Sequence, residues 1–171
     1  MQQCVVEAFD LMTRYYDENR VHVEGWKTND AWKVNRRVVL PRVVSVTFGG
    51  SGYVSYGNSR QNLNDIDRAM AFLEGKKLES VPCTAVCARE GHLKACGDDF
   101  SGVPFESTYF EMRCYKKGTL HMHFKDKELW ELFNLTAARG KNWLPDDVKA
   151  REREDRARNR RADQYGLPLS A

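Results

Sequence analysis

No stretch of this chain stays apolar long enough to cross a bilayer, and Glu7, Asp10, Arg14, Asp17, Glu18 and Arg20 interrupt the first twenty residues where a signal-peptide core would lie. A cytoplasmic protein is the expectation. Cysteine is sparse and odd in number, five in 171 residues, and without an export signal this argues for reduced thiols over a disulfide framework. Charge of one sign is also lacking. Lys and Arg number 27 against 24 Asp and Glu, a net charge of +3, which excludes the strongly basic profile of a dedicated nucleic-acid-coating protein. No repeat or low-complexity linker divides the chain.

What remains is enough for one domain. A chain of 171 residues buries roughly 70% of the surface that its unfolded form exposes. Val5, Phe9, Met12 and Tyr16 recur at three-and-four spacing, which predicts an amphipathic helix over residues 2–19. VVLPRVVSVTF reads as extended chain broken at Pro41, and GGSGYVSYGNS as a loop or loose hairpin end. NLNDIDRAMAFLEG predicts a second helix, capped at Asn62 or Asn64, closed by Gly75, and turning Ile66, Met70 and Phe72 or Leu73 inward. The expected fold is a single compact α+β domain over residues 1–147: an antiparallel sheet with a C-terminal β-hairpin packed against several helices. Residues 148–171 form a charged helical or disordered tail. DDVKAREREDRARNRRAD holds seven basic and six acidic side chains in eighteen residues and lacks an apolar stripe.

Histidine is scarce, four in all, yet two lie one residue apart in FEMRCYKKGTLHMHF, residues 110–124. Phe110, Met112 and Cys114 alternate with Glu111, Arg113 and Tyr115; Leu120, Met122 and Phe124 alternate with His121 and His123. A three-residue loop with Gly118 left-handed sets Arg113 opposite His121 and Glu111 opposite His123, whereas any one-residue slip mixes apolar and polar side chains on both faces. One face then carries Glu111, Arg113, His121 and His123 together. Histidine beside a carboxylate suits proton transfer, and arginine beside it suits a phosphate or oxyanion. Exposed sheet faces also carry such cross-strand pairs for stability alone.

Two further patterns bear on ligands. Cys83, Cys87, His92 and Cys96 have ligand types that zinc accepts, but at a spacing equally natural for a short helix that uses cysteine as core filler; no metal or cofactor is assigned. GWKTNDAWKVNRRVVLPR interleaves Trp26 and Trp32 with Lys27, Lys33, Arg36, Arg37 and Arg42. Cations neutralise phosphates and tryptophans stack on unpaired bases, although both rings can equally be core with the cations as solvated stems.

The hairpin and its sequel, FEMRCYKKGTLHMHFKDKELWELFNLTAARGKNWLPDD, resemble the C-terminal signature of a bacterial and phage family described only as a domain of unknown function, four-nine-four-two. The features that carry the resemblance are Arg113, Lys117-Gly118, His121, Phe124, a helix from about Lys127 to Ala138, and Leu144-Pro145-Asp146. It extends upstream through Trp26-Lys27-Thr28-Asn29 to the N-terminal helix, over roughly residues 1–147. His123 and the Cys83–Cys96 pattern depart from it. The resemblance implies a component of prophages, plasmids and genomic islands, sometimes joined to adenine-specific DNA methyltransferases or carried near toxin and antitoxin genes. Three functions are therefore expected as alternatives: a nucleic-acid-associated module acting in modification, defence or counter-defence; a metal-independent phosphodiesterase using His121, with Glu111 or Tyr115 orienting it and Arg113 on the phosphate; or a module that binds a host defence factor or toxin.

Overall fold

The computed structural model describes residues 2–16, 22–24, 32–54, 58–76 and 84–165. In chain order they form α1 (Gln2–Thr13), β1 (Arg14–Tyr16), β2 (His22–Glu24), β3 (Arg37–Leu40), β4 (Val44–Val46), β5 (Gly52–Val54), α2 (Asn58–Leu73), α3 (Thr84–Cys96), β6 (Pro104–Glu106), β7 (Phe110–Cys114), β8 (Leu120–Phe124), α4 (Lys127–Lys141) and α5 (Asp146–Tyr165). This is an α+β fold. β3, β8, β7 and β6 make an antiparallel sheet in that order, and β1–β2 and β4–β5 are separate two-stranded ribbons.

The hairpin β7–β8 has the register that alternation demands: Arg113 faces His121, Glu111 faces His123 and Cys114 faces Leu120. Its loop is three residues long. The Tyr115 N–H donates to the Thr119 carbonyl at 2.9 Å, and Gly118 turns the chain at φ +84°, a conformation that glycine adopts without a Cβ clash. Phe110, Met112, Cys114, Leu120, Met122 and Phe124 are all buried, each no more than 1% exposed. The alternating residues point away from the core.

Helices cover the apolar face. Phe9 of α1 and Phe133 of α4 stand 6.1 Å apart, Phe133 meets Phe124 at 5.7 Å, and Phe124 meets Phe110 edge-on at 5.0 Å. Offset and edge-to-face ring pairs of this kind add to the burial of the rings themselves. Asp126 caps α4 by accepting from the Glu128 and Leu129 N–H groups, and Asn142 closes the helix in the left-handed region at φ 57°. Beyond it, α5 docks through a fork between the Arg139 guanidinium and the Glu152 carboxylate. It is otherwise largely exposed up to residue 160.

Three helix boundaries differ from the sequence reading, one of them the end of α4, which runs to Lys141 and not to Ala138. α1 ends at Thr13, not near residue 19. The Thr13 hydroxyl donates back to the Phe9 and Asp10 carbonyls, and the β-favouring Arg14-Tyr15-Tyr16 pairs with β2 instead of continuing the helix. α2 starts at Asn58, a turn before either candidate cap. Gly75 ends the helix at φ +71° as expected.

α3 holds a residue that composition would place outside. Arg89 is completely buried. One Nη donates to the Val43 carbonyl at 3.2 Å, the other is 4.0 Å from Glu90, and Nε has no partner among the described residues. Burial pushes its pKa down, against the opposing pull of Glu90.

Packing between β5 and α3 is close enough to require glycine. A Cβ on Gly52 would stand 2.6 Å from the Phe100 ring and 2.9 Å from Leu93 Cδ2, and both neighbours are buried. Gly52→Ala is expected to cost about 1–3 kcal/mol by overpacking. Urea denaturation checks this, and a wild-type midpoint would show that Phe100 has room to move.

Candidate functional site

With the helices on one face of the four-stranded sheet, its other face brings together side chains from four strands. Pairing aligns Arg37 of β3, His123 of β8, Glu111 of β7 and Glu106 of β6 in one row, and Val39, His121, Arg113 and Pro104 in the next. Around them is a groove of about 490 Å³ lined by these polar residues; Phe105, Met112 and Met122 belong to the strand floor beneath it, Met112 and Met122 with their side chains buried on the helix side. That volume is within the range of small-molecule and nucleotide-sized sites.

The charges in the groove are unevenly matched. His123 Nδ1 lies 3.5 Å from a Glu111 oxygen, an ion pair only when the ring is protonated. Glu106 is paired at 3.0 Å with the Lys125 ammonium. Arg37 and Arg113 are both exposed, and neither has a carboxylate partner among the described residues. His121 sits between them, its ring tilted against Tyr115 at 4.5 Å. Desolvation, and then the nearby Arg37 charge, hold its pKa below the ordinary histidine value, so at neutral pH the imidazole is mostly unprotonated and able to accept a proton.

Other residues singled out by sequence have different surroundings. Trp26 and Lys27 lie outside the described residues. Lys33 stacks its ammonium over the half-buried Trp32 ring at 4.3 Å. The loop between them and β3 is tied to α4: the Val34 N–H donates to Asn134 Oδ1 at 2.6 Å, and the Val34 carbonyl accepts from Trp130 Nε1 at 2.9 Å. Arg36 donates to the Phe124 and Lys125 carbonyls at 2.8 and 3.2 Å, continuing the β3–β8 seam. Among the described residues of that segment, Arg37 alone lines the groove. Strand pairing joins it to the hairpin cluster, and no spacing in the sequence reveals that pairing.

The cysteine–histidine stretch divides as well. Cys83 lies outside the described residues, and Cys87 is exposed. Buried His92 stacks on Phe105 at 4.2 Å, with Nε2 3.1 Å from the Phe100 carbonyl and Nδ1 3.6 Å from Cys96 Sγ. Both ring nitrogens are thus engaged within the protein. Among the described residues, no three His, Cys, Asp or Glu side chains converge to hold a metal ion.

Sequence reasoning missed β6 and its contribution of Pro104, Phe105 and Glu106 to the groove wall. The segment is a three-residue strand, too short for alternation to register. It also missed Phe48, fully exposed at the tip of the β4–β5 ribbon.

The fold and this groove define a small α+β domain with one open, polar sheet face. Over residues 1–143 the chain matches the family described as domain of unknown function (DUF4942), and it belongs to that family. No curated protein and no solved structure matches it. Among the described residues no helix is long and apolar enough to cross a membrane.

Proposed function

We propose that the open face of the four-stranded sheet binds nucleic acid through its phosphates, as part of a modification, defence or counter-defence system of a mobile element acting in the cytoplasm. The observation that carries this is the pair of exposed arginines, Arg37 and Arg113. Both line one groove without a carboxylate partner among the described residues, while Glu106 and Glu111 are each held by a basic neighbour. An uncompensated guanidinium pair flanking a neutral imidazole suits a bidentate oxyanion such as phosphate. The near-balanced net charge then implies a local contact over a few nucleotides, not a long coated tract.

Fluorescence anisotropy with single- and double-stranded DNA and RNA, at low and moderate salt, tests the reading. Micromolar binding is expected, and Arg37→Ala and Arg113→Ala should each flatten the log–log salt dependence by about one unit. Absence of binding to all four nucleic acids at micromolar protein would overturn it.

A further inference from the structure

The groove places two imidazoles on one strand face with a cation opposite each. His121 and His123 are two positions apart on β8, with Arg113 across from the first and Arg37 across from the second. Side chains at such positions on one face stand about 7 Å apart. Hydrogen-bond reach of about 3 Å from each ring leaves space between them for one phosphorus centre, with its attacking and leaving oxygens on opposite sides.

We propose that this groove cleaves RNA, with His121 removing the proton of a ribose 2′-hydroxyl and His123 protonating the departing 5′-oxygen. The proposal rests on the nucleic-acid reading of the same face and names its substrate class and its chemistry.

The 2′-oxygen, relieved of its proton by His121, forms a new bond to the adjacent phosphorus. The bond from phosphorus to the 5′-oxygen breaks, and that oxygen leaves with the proton carried by His123. The products are a 2′,3′-cyclic phosphate and a free 5′-hydroxyl, and the two histidines end with their protonation states exchanged. Water supplied in the reverse sense opens the cyclic phosphate and restores them. No oxidant, reductant or metal is consumed. The nucleophile belongs to the substrate, so the protein has to supply only a base, an acid and charge stabilisation for the phosphorane.

The two histidines are surrounded differently, as the separate roles require. His121 has Arg37 and Arg113 near it and the Tyr115 ring against it, with no carboxylate directly across the strand pair. Its depressed pKa leaves it unprotonated, the form that a base needs. His123 has the Glu111 carboxylate 3.5 Å from Nδ1 on the β7 side and Arg37 across from it on the β3 side. The Glu111 contact orients the ring by engaging Nδ1 and leaves Nε2 to deliver the proton. Glu106 on β6 faces the same row but is held by Lys125. Arg37 and Arg113 remain for the non-bridging phosphate oxygens. A strand lacking the 2′-hydroxyl has the phosphate that the arginines hold but not the nucleophile, so DNA is a ligand of this groove and not a substrate.

The full chain incubated with a fluorescent single-stranded RNA of mixed sequence, in the presence of a chelator, should release fragments ending in 2′,3′-cyclic phosphate. The all-deoxy strand of the same sequence should be bound and left intact. His121→Ala and His123→Ala should each slow cleavage by 100-fold or more while retaining affinity for the all-deoxy strand, and the wild-type rate should be bell-shaped in pH. RNA bound but uncut would overturn the ribonuclease inference and leave the binding reading standing. Cleavage of the deoxy strand, or an undiminished rate in His121→Ala, would overturn the inference as well. Failure to bind either strand would overturn both.

Discussion

Met112→Ala is expected to lower the unfolding free energy by about 2–5 kcal/mol, whereas Arg113→Ala, one residue away, should change it by less than about 1 kcal/mol. The contrast follows from the alternation of β7. Met112 is 1% exposed on the helix-covered face of the sheet, so truncating it leaves a cavity between the sheet and the helices. Arg113 points into the open groove and has no ion pair among the described residues whose loss would register. Urea denaturation of both variants checks the difference, alongside nucleic-acid binding. The reverse pattern is expected there: Met112→Ala should keep its affinity under conditions where it is folded, and Arg113→Ala should lose it. If Arg113→Ala proves as destabilising as Met112→Ala, the arginine belongs to the scaffold and the site assignment fails.

Asp67 should give the protein a marked pH dependence. The side chain is 1% exposed in α2 and accepts the Ala85 N–H at the start of α3 at 2.8 Å. Burial pushes its pKa up from 3.8 to about 6, with the hydrogen bonds from Ala85 and Thr84 pulling only partly the other way. Because the folded value is above the unfolded one, the native state holds a proton that the unfolded chain has released between about pH 4 and pH 6. Stability is therefore fullest below pH 4 and is lost as pH rises through that window, by up to about 3 kcal/mol from this group. Asp67→Asn keeps an oxygen for the Ala85 N–H and has no charge to bury. Its stability at pH 7 relative to pH 4 should exceed the wild-type difference by a similar amount. Parallel denaturation curves at the two pH values measure this, and an unchanged difference would show that solvent or another cation reaches the carboxylate.

Arg89 and His92 show where sequence pattern fails within α3. A short helix was one of the two readings of the Cys83–Cys96 spacing, but which of its faces would be buried was not legible. The inward positions are Ala85, Val86, Arg89, His92 and Leu93, while Cys87, which hydropathy would bury, is exposed. Arg89 can be inside because the Val43 carbonyl meets one of its nitrogens; a bond to a residue 46 positions away leaves no mark on local periodicity.

The hairpin was legible for a physical reason. Both strands alternate strictly and their loop contains a single glycine, so only one register keeps apolar side chains off the polar face, and it fixes the pairs Arg113–His121 and Glu111–His123. The start of α4 at Lys127, which the family resemblance implied, is where Asp126 caps it, but the helix runs to Lys141 and not to Ala138. Tertiary structure alone decided that Arg37, 84 positions before His121 in the chain, would share its groove, because β3 docks on β8 through backbone groups that carry no side-chain identity. It also decided that the helices would cover only the apolar face, leaving the polar row beside a groove, and that β6 would supply its far wall. Local sequence determines which side chains a strand presents together; the order in which strands pair, set by packing across the whole domain, determines which strands' residues meet.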